Sequence, residues 1–595
     1  MRASQKDTLA ALNTLAVYSF FMKPALNQRA LDVLEARYLL RDLKNGRVIE
    51  TPEQLFKRVA MFVAEAEKKF GGKKQRDFWA SQFLNSLIEL EFLPNSPTLM
   101  NAGTSLNQLS ACFVIPIEDN LGQIFDALKL AALVQQSGGG TGFSFSRLRR
   151  KGDPVSLSTG VASGPVSFMR IFDTATENIR QGGKRRGANM GILRVDHPDI
   201  EEFIQAKIEP DNFVNFNLSV GVTQEFMKAV LRNGEISLID PWNGKKTGKK
   251  NARDLLKLIA NCAWKSGDPG LIFLDQINRS QPTPDLGAIE ATNPCGEVPL
   301  LPFEACNLGS INLTKVLKRN GDNTEIDWEH LSDLIALGVR FLDDVIEVSQ
   351  WPSPLIEKQV KGNRKVGLGV MGFAEMLILL GIPYDSPKAI LLAEQLMKFI
   401  SEKAWEASSA LAKERGVFPH WKKSRFGKLK QRVRNATVTS IAPTGTISMI
   451  AGTSSGIEPL FGLSYTQKNI LGGRSFRVLN SVFEKLVQEH NWLTEKELQQ
   501  VKETGKLPGK ELFKTALEIS AKAHLDIQEA FQKFTDNAVS KTINLPETAT
   551  PEDVYNIYLE AWERRLKGIT VFRYGCRKEQ VFELGQSCHS TDCRL

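Results

Sequence analysis

The sequence predicts an α/β protein, a large mixed body preceded by an all-helical region. Three observations carry this. Apolar residues recur at the helical period up to residue 92, short β-prone runs alternate with helical stretches beyond Pro94, and the bulk composition is that of an ordinary folded chain. In the first region Leu31, Leu34, Tyr38 and Leu39 share a helical face, and Thr51-Pro52-Glu53 is a helix start ahead of Leu55, Val59 and Phe62. The β-prone runs are 111–115, 143–145, 191–193, 217–220 and 271–273, with helices expected over 120–134 and 252–264. The alternation continues through 366–371 and 436–441 to 568–572. Segments 315–323 and 422–434 are polar and basic and read as surface connections. The final stretch, 576–595, carries too little apolar content to pack and is expected to form a mobile tail.

The chain has 595 residues, 42% hydrophobic and 24% charged, with 76 Lys+Arg against 67 Asp+Glu and a net charge of +9. Disordered, collagen-like and coiled-coil classes are excluded. The modest positive excess points to anionic ligands rather than to nucleic acid. Seven cysteines are too few for a disulfide scaffold. No uninterrupted apolar run reaches the ~18 residues of a membrane span, and the best one, 366–384, is broken by Glu375. The stretch 9–22 imitates a signal peptide. Asn13, Thr14 and Ser19 interrupt it and no small-residue cleavage site follows, so an amphipathic helix and a cytoplasmic location are expected.

The most specific segment is Asn293-Pro294-Cys295-Gly296-Glu297. In an extended loop its amide, thiol and carboxylate would face one side, where all three could meet one ligand. Pro294 and Gly296 forbid a helix and pin the chain in a tight conformation. A surface turn with a stray thiol is the plain alternative, weakened by Cys306 eleven residues on and by a third thiol, Cys112, in a β-prone run. Cys588 and Cys593 form a second feature, able to make a disulfide or to pass electrons by thiol exchange; a zinc site with Cys576 and His589, or two inert thiols, are the alternatives. Cys262 reads as a core residue.

Pro443-Thr444-Gly445-Thr446-Ile447-Ser448 offers backbone N–H groups and three hydroxyls at a helix start, and Asn95-Ser96-Pro97-Thr98 a second hydroxyl cluster; such nests hold phosphate without lysine. Gly367-Leu368-Gly369-Val370-Met371-Gly372 matches a dinucleotide fingerprint, yet the polar 361–365 precedes it and no acidic strand end follows. It is read as close packing between a strand and the helix after it. Two basic clusters, Arg147 to Lys151 and Arg180 to Arg186, are solvated faces or, in the Gly-hinged second case, anion contacts. The six histidines show no i, i+4 pairing, so no metal site is expected.

Together NSPTLMNAG, ACFV, SGGGTGFSFSRLR, GGKRRGANMG, NPCGE, ACNLGSINL, GLGVMGFAE and PTGTIS make the sequence resemble the large catalytic chain of ribonucleotide reductases, from about residue 24 onward. The resemblance implies a ten-stranded α/β barrel of two antiparallel five-stranded parallel halves, threaded by a finger loop. It divides the chain into an N-terminal helical region (1–93), a barrel (94–575) and a C-terminal redox tail (576–595). Carried over residue by residue, Cys295 would become the thiyl radical, Glu297 the base on the 3′ hydroxyl and Asn293 a hydrogen-bonding partner. Cys112 and Cys306 would be the reducing dithiol, and Cys588 and Cys593 its shuttle. Asn95, Ser96, Thr98, Ala111, Gly142, Pro443, Thr444, Gly445, Thr446 and Ser448 would bind substrate.

The subclass follows from the chain end. Gly568 to Tyr574 lacks the adjacent tyrosine pair of reductases that draw their radical from a separate metal-containing subunit, and no glycyl-radical motif is present. The resemblance is therefore closest to the adenosylcobalamin-dependent class. A chain fed by a partner subunit, and a nucleotide-binding regulator without catalysis, are the competing readings. Asp119, Asn120, Leu121 and Arg149, with Arg180, Gln181 and Arg185, resemble the site for a dNTP or ATP specificity effector, which implies a homodimer. A thioredoxin-like reductant is expected, and neither nucleic acid nor membrane. The first region is too short for an ATP-cone, so no overall on/off control is expected.

Overall fold

The computed structural model describes residues 23–42, 44–155, 160–181, 185–209, 211–321, 323–471, 474–490, 493–577 and 582–584. The chain starts as helices: α1 Gln28–Arg37, α2 Pro52–Val63 and α3 Lys68–Ile88. Thr51 and Gln54 cap α2 reciprocally, satisfying orphan N–H groups at its start. Leu34, Tyr38, Leu55, Val59 and Phe83 bury the apolar faces of these helices.

Ten strands build the body: β1 Phe92–Pro94, β2 Cys112–Val114, β3 Gly140–Ser144, β4 Asn189–Arg194, β5 Phe216–Val222, β6 Gly270–Phe273, β7 Ala305–Asn312, β8 Val366–Met371, β9 Thr542–Leu545 and β10 Gly568–Arg573. Strands β2 to β6 pair in parallel in chain order. Strand β10 crosses to β6 antiparallel and pairs β9 in parallel. On the other flank β7 pairs β2 antiparallel and β8 parallel, while β1 lies antiparallel along the far end of β7. The run 437–441 makes only single bridges, Leu368 to Thr439 and Ile441 to Val539, both parallel. It nevertheless donates and accepts backbone hydrogen bonds with β8 on one side and with 537–540, just ahead of β9, on the other. The pairing thereby returns to its start through two parallel halves joined antiparallel at two junctions.

The apolar core is divided accordingly. A large cluster lies between the sheet and the surrounding helices, including α4 Leu121–Gln136, α5 Pro165–Asn178, α6 Trp328–Val348 and α7 Pro387–Arg415. A smaller one, with Cys112, Val114, Met190, Ile192, Ile272, Cys306 and Leu308, packs against Ile289, Ala291, Val298 and Leu300 of the connection between β6 and β7.

Buried charges fasten the helical region to the body. The Arg415 guanidinium on α7 lies 2.5 Å from Glu67 and 2.6 and 3.0 Å from Asp344 and Asp343 of α6. Arg340 adds Glu67 and Glu414, and Arg364 and Arg434 share Asp343 and Glu347. Three arginines hold the Asp343 carboxyl far below the usual carboxylate range, whereas burial beside Glu67 pushes Asp344 up.

Several sequence expectations are corrected here. Residues 317–326 form a β-hairpin rather than a plain connection, because Leu317 and Ile326 pair across it. Arg434, placed in a basic surface segment, is buried because Asp343 and Glu347 receive its guanidinium. Within the expected tail, Phe582–Leu584 is a strand paired with Tyr465–Gln467. The glycines of 367–372 do serve close packing, but against neighbouring strands. A Cβ on Gly367 would meet Leu308 at 2.4 Å, and one on Gly369 the Ser440 carbonyl oxygen at 2.3 Å. Among the described residues no helix is long and apolar enough to cross a membrane.

Candidate active site

The connection between β6 and β7 folds back as a short hairpin, Ala291–Thr292 against Pro299–Leu300, and carries residues 293–297 at its tip. The tip is a tight turn and not the extended loop expected from the sequence. Gly296 adopts φ +80° and its N–H donates to the Asn293 carbonyl at 3.0 Å, which turns Asn293 and Glu297 inward and leaves Cys295 exposed at the apex. Glycines let the hairpin approach the sheet. A Cβ on Gly142 of β3 would sit 1.7 Å from the Thr292 oxygen, and one on Gly140 would strike Pro294 at 2.7 Å. Asn217 of β5 donates to the Pro294 carbonyl at 2.9 Å, and the Glu297 carbonyl accepts from Ser440 Oγ at 2.9 Å and Ala538 N–H at 2.8 Å. Both halves of the sheet thus grip one loop.

Cys112 and Cys306 are directly opposed across the antiparallel junction of β2 and β7. Opposed residues in such a ladder have Cα atoms ~4.5–5.5 Å apart, within reach of a disulfide. Both are reduced and buried, at 3% and 0% exposure. The Asn293 amide donates to Cys112 Sγ at 3.1 Å, and its Oδ1 accepts from Val298 N–H at 2.9 Å. Burial pushes the Cys112 thiol up, reinforced by Glu297, Cys306 and Cys295; the Asn293 hydrogen bond opposes this. Burial pushes Cys306 up as well, opposed by Lys365. Burial raises the Glu297 carboxyl from its ordinary 4.5 to about 7, and its Oε2 is buried without a hydrogen-bond partner.

Cys295 opens into a cavity of about 1780 Å³, whose wall includes Asn217, Pro443, Gly445, Thr446 and Ser448. The other expected substrate residues are not on its wall. Thr444, at φ +53°, accepts from Gly456 N–H at 2.8 Å. Asn95 donates to the Leu109 carbonyl and accepts from Leu308 N–H, both at 2.8 Å. Thr98 Oγ1 donates to the same Leu109 carbonyl, and Ser96 Oγ meets the Tyr38 hydroxyl at 2.7 Å. Ala111 accepts from Gly140 N–H at 2.7 Å next to the dithiol.

Farther out, Arg149 Nε donates to Asp119 at 2.7 Å, Asn120 caps α4 by accepting from Gln123 N–H, and Leu121 stands exposed beside them. Arg180–Gln181 and Arg185–Arg186 pair as a short antiparallel hairpin, the first of them touching α4. Cys588, His589 and Cys593 lie outside the described residues. Cys576 is half-buried, and Cys262 is buried in the helix Ala252–Ser266. No described group of His, Cys, Asp or Glu could hold a metal ion.

The sequence reading missed Lys365 and Glu304. Both are buried beside Cys306 and joined by a 2.6 Å ion pair. Lys365 was read as part of a polar lead-in, and only the pairing of β7 with β8 brings it to the thiol.

Compared with known families, the chain matches "Ribonucleotide reductase, barrel domain" over residues 110–572 and "Ribonucleotide reductase, all-alpha domain" over 25–107. Among similar proteins is a vitamin B12-dependent ribonucleoside-diphosphate reductase of Mycobacterium tuberculosis, 49% identical over 93% of this chain and 80% of its own. A Thermoplasma acidophilum protein of the same name is 45% identical over 94% of this chain and 80% of its own. A vitamin B12-dependent ribonucleotide reductase of Streptomyces coelicolor is 30% identical over 93% of this chain and 65% of its own.

Proposed function

The chain belongs to the ribonucleotide reductase family, and on that premise we propose that it reduces ribonucleoside diphosphates to 2′-deoxyribonucleotides by thiyl-radical chemistry dependent on adenosylcobalamin. One observation carries the reading. A single thiol, Cys295, stands at a loop apex facing the cavity, while the same loop holds Glu297 and Asn293 against the Cys112/Cys306 pair.

The cavity suits the cofactor. Its volume exceeds the ~300–1,000 Å³ of an ordinary ligand pocket, leaving room for a second large group beside a nucleotide. Gln528 on its wall has a buried Oε1 with no hydrogen-bond partner, an acceptor suited to the primary amides of a corrin rim. Gln528, with Thr542 and Asn544 of β9, would hold the group. When bound, it would supply the one-electron oxidant that turns the Cys295 thiol into a thiyl.

The chain's own residues do the rest. Cys295, as a thiyl, takes the 3′ hydrogen, and Glu297 accepts the 3′ hydroxyl proton. An acidity near 7 leaves that carboxyl about half ionised at neutral pH. Cys112 and Cys306 then supply two electrons and two protons, one proton leaving with the 2′ hydroxyl as water and the other ending on the 2′ carbon, and they finish as a disulfide; Cys295 returns the 3′ hydrogen and Glu297 the 3′ hydroxyl proton. Cys588 and Cys593 re-reduce it by thiol exchange. Asn293 steadies Cys112 while charge shifts. Pro443, Gly445, Thr446 and Ser448 meet the substrate's phosphates, a role supported by their place on the cavity wall.

The finer partners belong to the same proposal: a dNTP or ATP effector at Asp119, Asn120, Leu121 and Arg149 with the 180–186 hairpin, a thioredoxin-like reductant, a homodimer and a cytoplasmic setting. The dimer is supported by an apolar stripe on α4, where Leu121 and Phe125 are 63% and 48% exposed and Leu133 continues the face. The decisive test mixes the purified chain with adenosylcobalamin, a ribonucleoside diphosphate and a dithiol. Deoxynucleotide should form with no second protein, and Cys295→Ser should abolish it while nucleotide still binds. Turnover only after a metal-containing subunit is added, or turnover in the variant, overturns the proposal.

A further inference from the structure

Cys306 sits in a row that runs across the sheet. On one side it faces Cys112, which in turn faces Gly140 of β3, where Pro294 of the finger rests. On the other side, β7 and β8 pair in parallel from Asn307 and Val366 onward, so the preceding pair down the two strands is Cys306 and Lys365. Lys365 is 2% exposed and donates to Glu304 Oε2 at 2.6 Å. Glu304 also accepts from Leu301 N–H and from the Asn363 amide, which fixes the ammonium beside the thiol. The groups facing Cys306 are thus Lys365 from β8, Glu304 from the entry to β7, Glu297 from the finger and Cys112 from β2, with Lys365 the leading charge. The leading charges on Cys112 come instead from Glu297, Cys306 and Cys295, which are anionic when ionised. The two sulfurs, symmetric in the ladder, are unequal in their surroundings.

We propose that Lys365 is a positioning residue that gives the Cys112–Cys306 disulfide a direction: the reductant attacks Cys112, and Cys306 leaves as the thiolate. This rests on the dithiol role assigned above. The attacking thiolate bonds to Cys112 Sγ as the Cys112–Cys306 bond breaks, and the electron pair passes to Cys306 Sγ beside the Lys365 ammonium. The reductant's second thiol, deprotonated, then attacks the mixed disulfide and releases Cys112. The two protons of the reductant end on the protein dithiol, and the reductant becomes a disulfide. A better-stabilised thiolate leaves faster. Cys112 is also the less buried residue of the two, at 3% exposure against 0%.

The test uses as parent the full-length chain carrying Cys588→Ser and Cys593→Ser, whose tail cannot take over the disulfide; it is oxidised by one turnover without reductant, 2-mercaptoethanol is added, and mass spectrometry locates the mixed disulfide. In this parent the adduct should map to Cys112, leaving Cys306 alkylatable. Lys365→Met should slow dithiothreitol re-reduction about tenfold and spread the adduct over both cysteines, and Lys365→Arg, which keeps the cation, should restore both readouts. The double variant Lys365→Met/Glu304→Gln leaves no unpaired buried charge and should behave likewise if the single variant folds poorly. Parental speed and Cys112-only adducts in either folded Lys365→Met variant overturn the inference. If no Cys112–Cys306 disulfide appears in the parent without tail cysteines after turnover, the underlying dithiol reading fails instead.

Discussion

Replacing Glu297 with Gln separates two consequences of one buried carboxyl. Burial raises its acidity constant from 4.5 to about 7. At ~1.36 kcal/mol per tenfold change, that rise corresponds to about 3 kcal/mol favouring the neutral form. The sign follows from linkage. A group whose folded value is raised contributes stability that is complete below the unfolded value near 4.5 and disappears as pH climbs through about 7. The wild type at about pH 8.5 therefore carries a destabilising buried carboxylate, and Gln, neutral throughout, does not. Glu297→Gln should match the wild type to within its small structural cost below about pH 4 and then gain on it by up to about 3 kcal/mol by pH 8.5. Urea unfolding at a series of pH values, read as the difference in midpoint, measures this. The same variant should lose ~10²–10⁴-fold in turnover, the usual contribution of a positioned base. A midpoint difference that stays flat across the pH range, or near-normal turnover, would refute the reasoning.

Three further outcomes follow from packing and charge. Gly142→Ala drives a methyl into the Thr292 carbonyl, so the finger must shift; turnover should collapse and stability fall by ~1–3 kcal/mol or more, read by activity assay and thermal melting. Arg415→Met takes from buried Asp344 its ion-pair partner and from Glu67 and Asp343 one partner each, and should cost about 3–5 kcal/mol in a denaturant titration, with proteolysis appearing first where the helical region meets α6 and α7. Phe125→Asp places a charge in the apolar stripe of α4 and should yield a monomer by light scattering, with effector response lost and basal turnover reduced less.

What could be read from the sequence was local. The strand 366–371 was placed to the residue, and the helix expected from 120 begins at Leu121 with Asn120 as its cap, because side-chain period and capping chemistry act within one turn or one pleat. What could not be read depends on pairing between distant segments. The run 436–441 looks like a strand yet makes only isolated bridges, since its hydrogen bonds divide between β8 and 537–540. The alternation in 293–297 suggested three groups on one side. The turn at Gly296 instead sends Cys295 outward and its neighbours inward, in a loop that packs closely against Gly140 and Gly142 of the sheet. The three thiols were singled out in the sequence, but that Cys112 faces Cys306 is a matter of register, and so is the place of Lys365.

Cys112 and Cys306 sit on opposite halves of the body, one on β2 and one on β7, at just one of the two places where those halves meet. In the proposed cycle, each product made therefore rivets one flank of the ring shut, and each visit of the reductant unfastens it, while the flank between β6 and β10 is held by hydrogen bonds throughout. An enzyme starved of reductant would be a covalently clasped molecule, harder to pull apart than the working one, and its resistance to unfolding would report the redox supply around it.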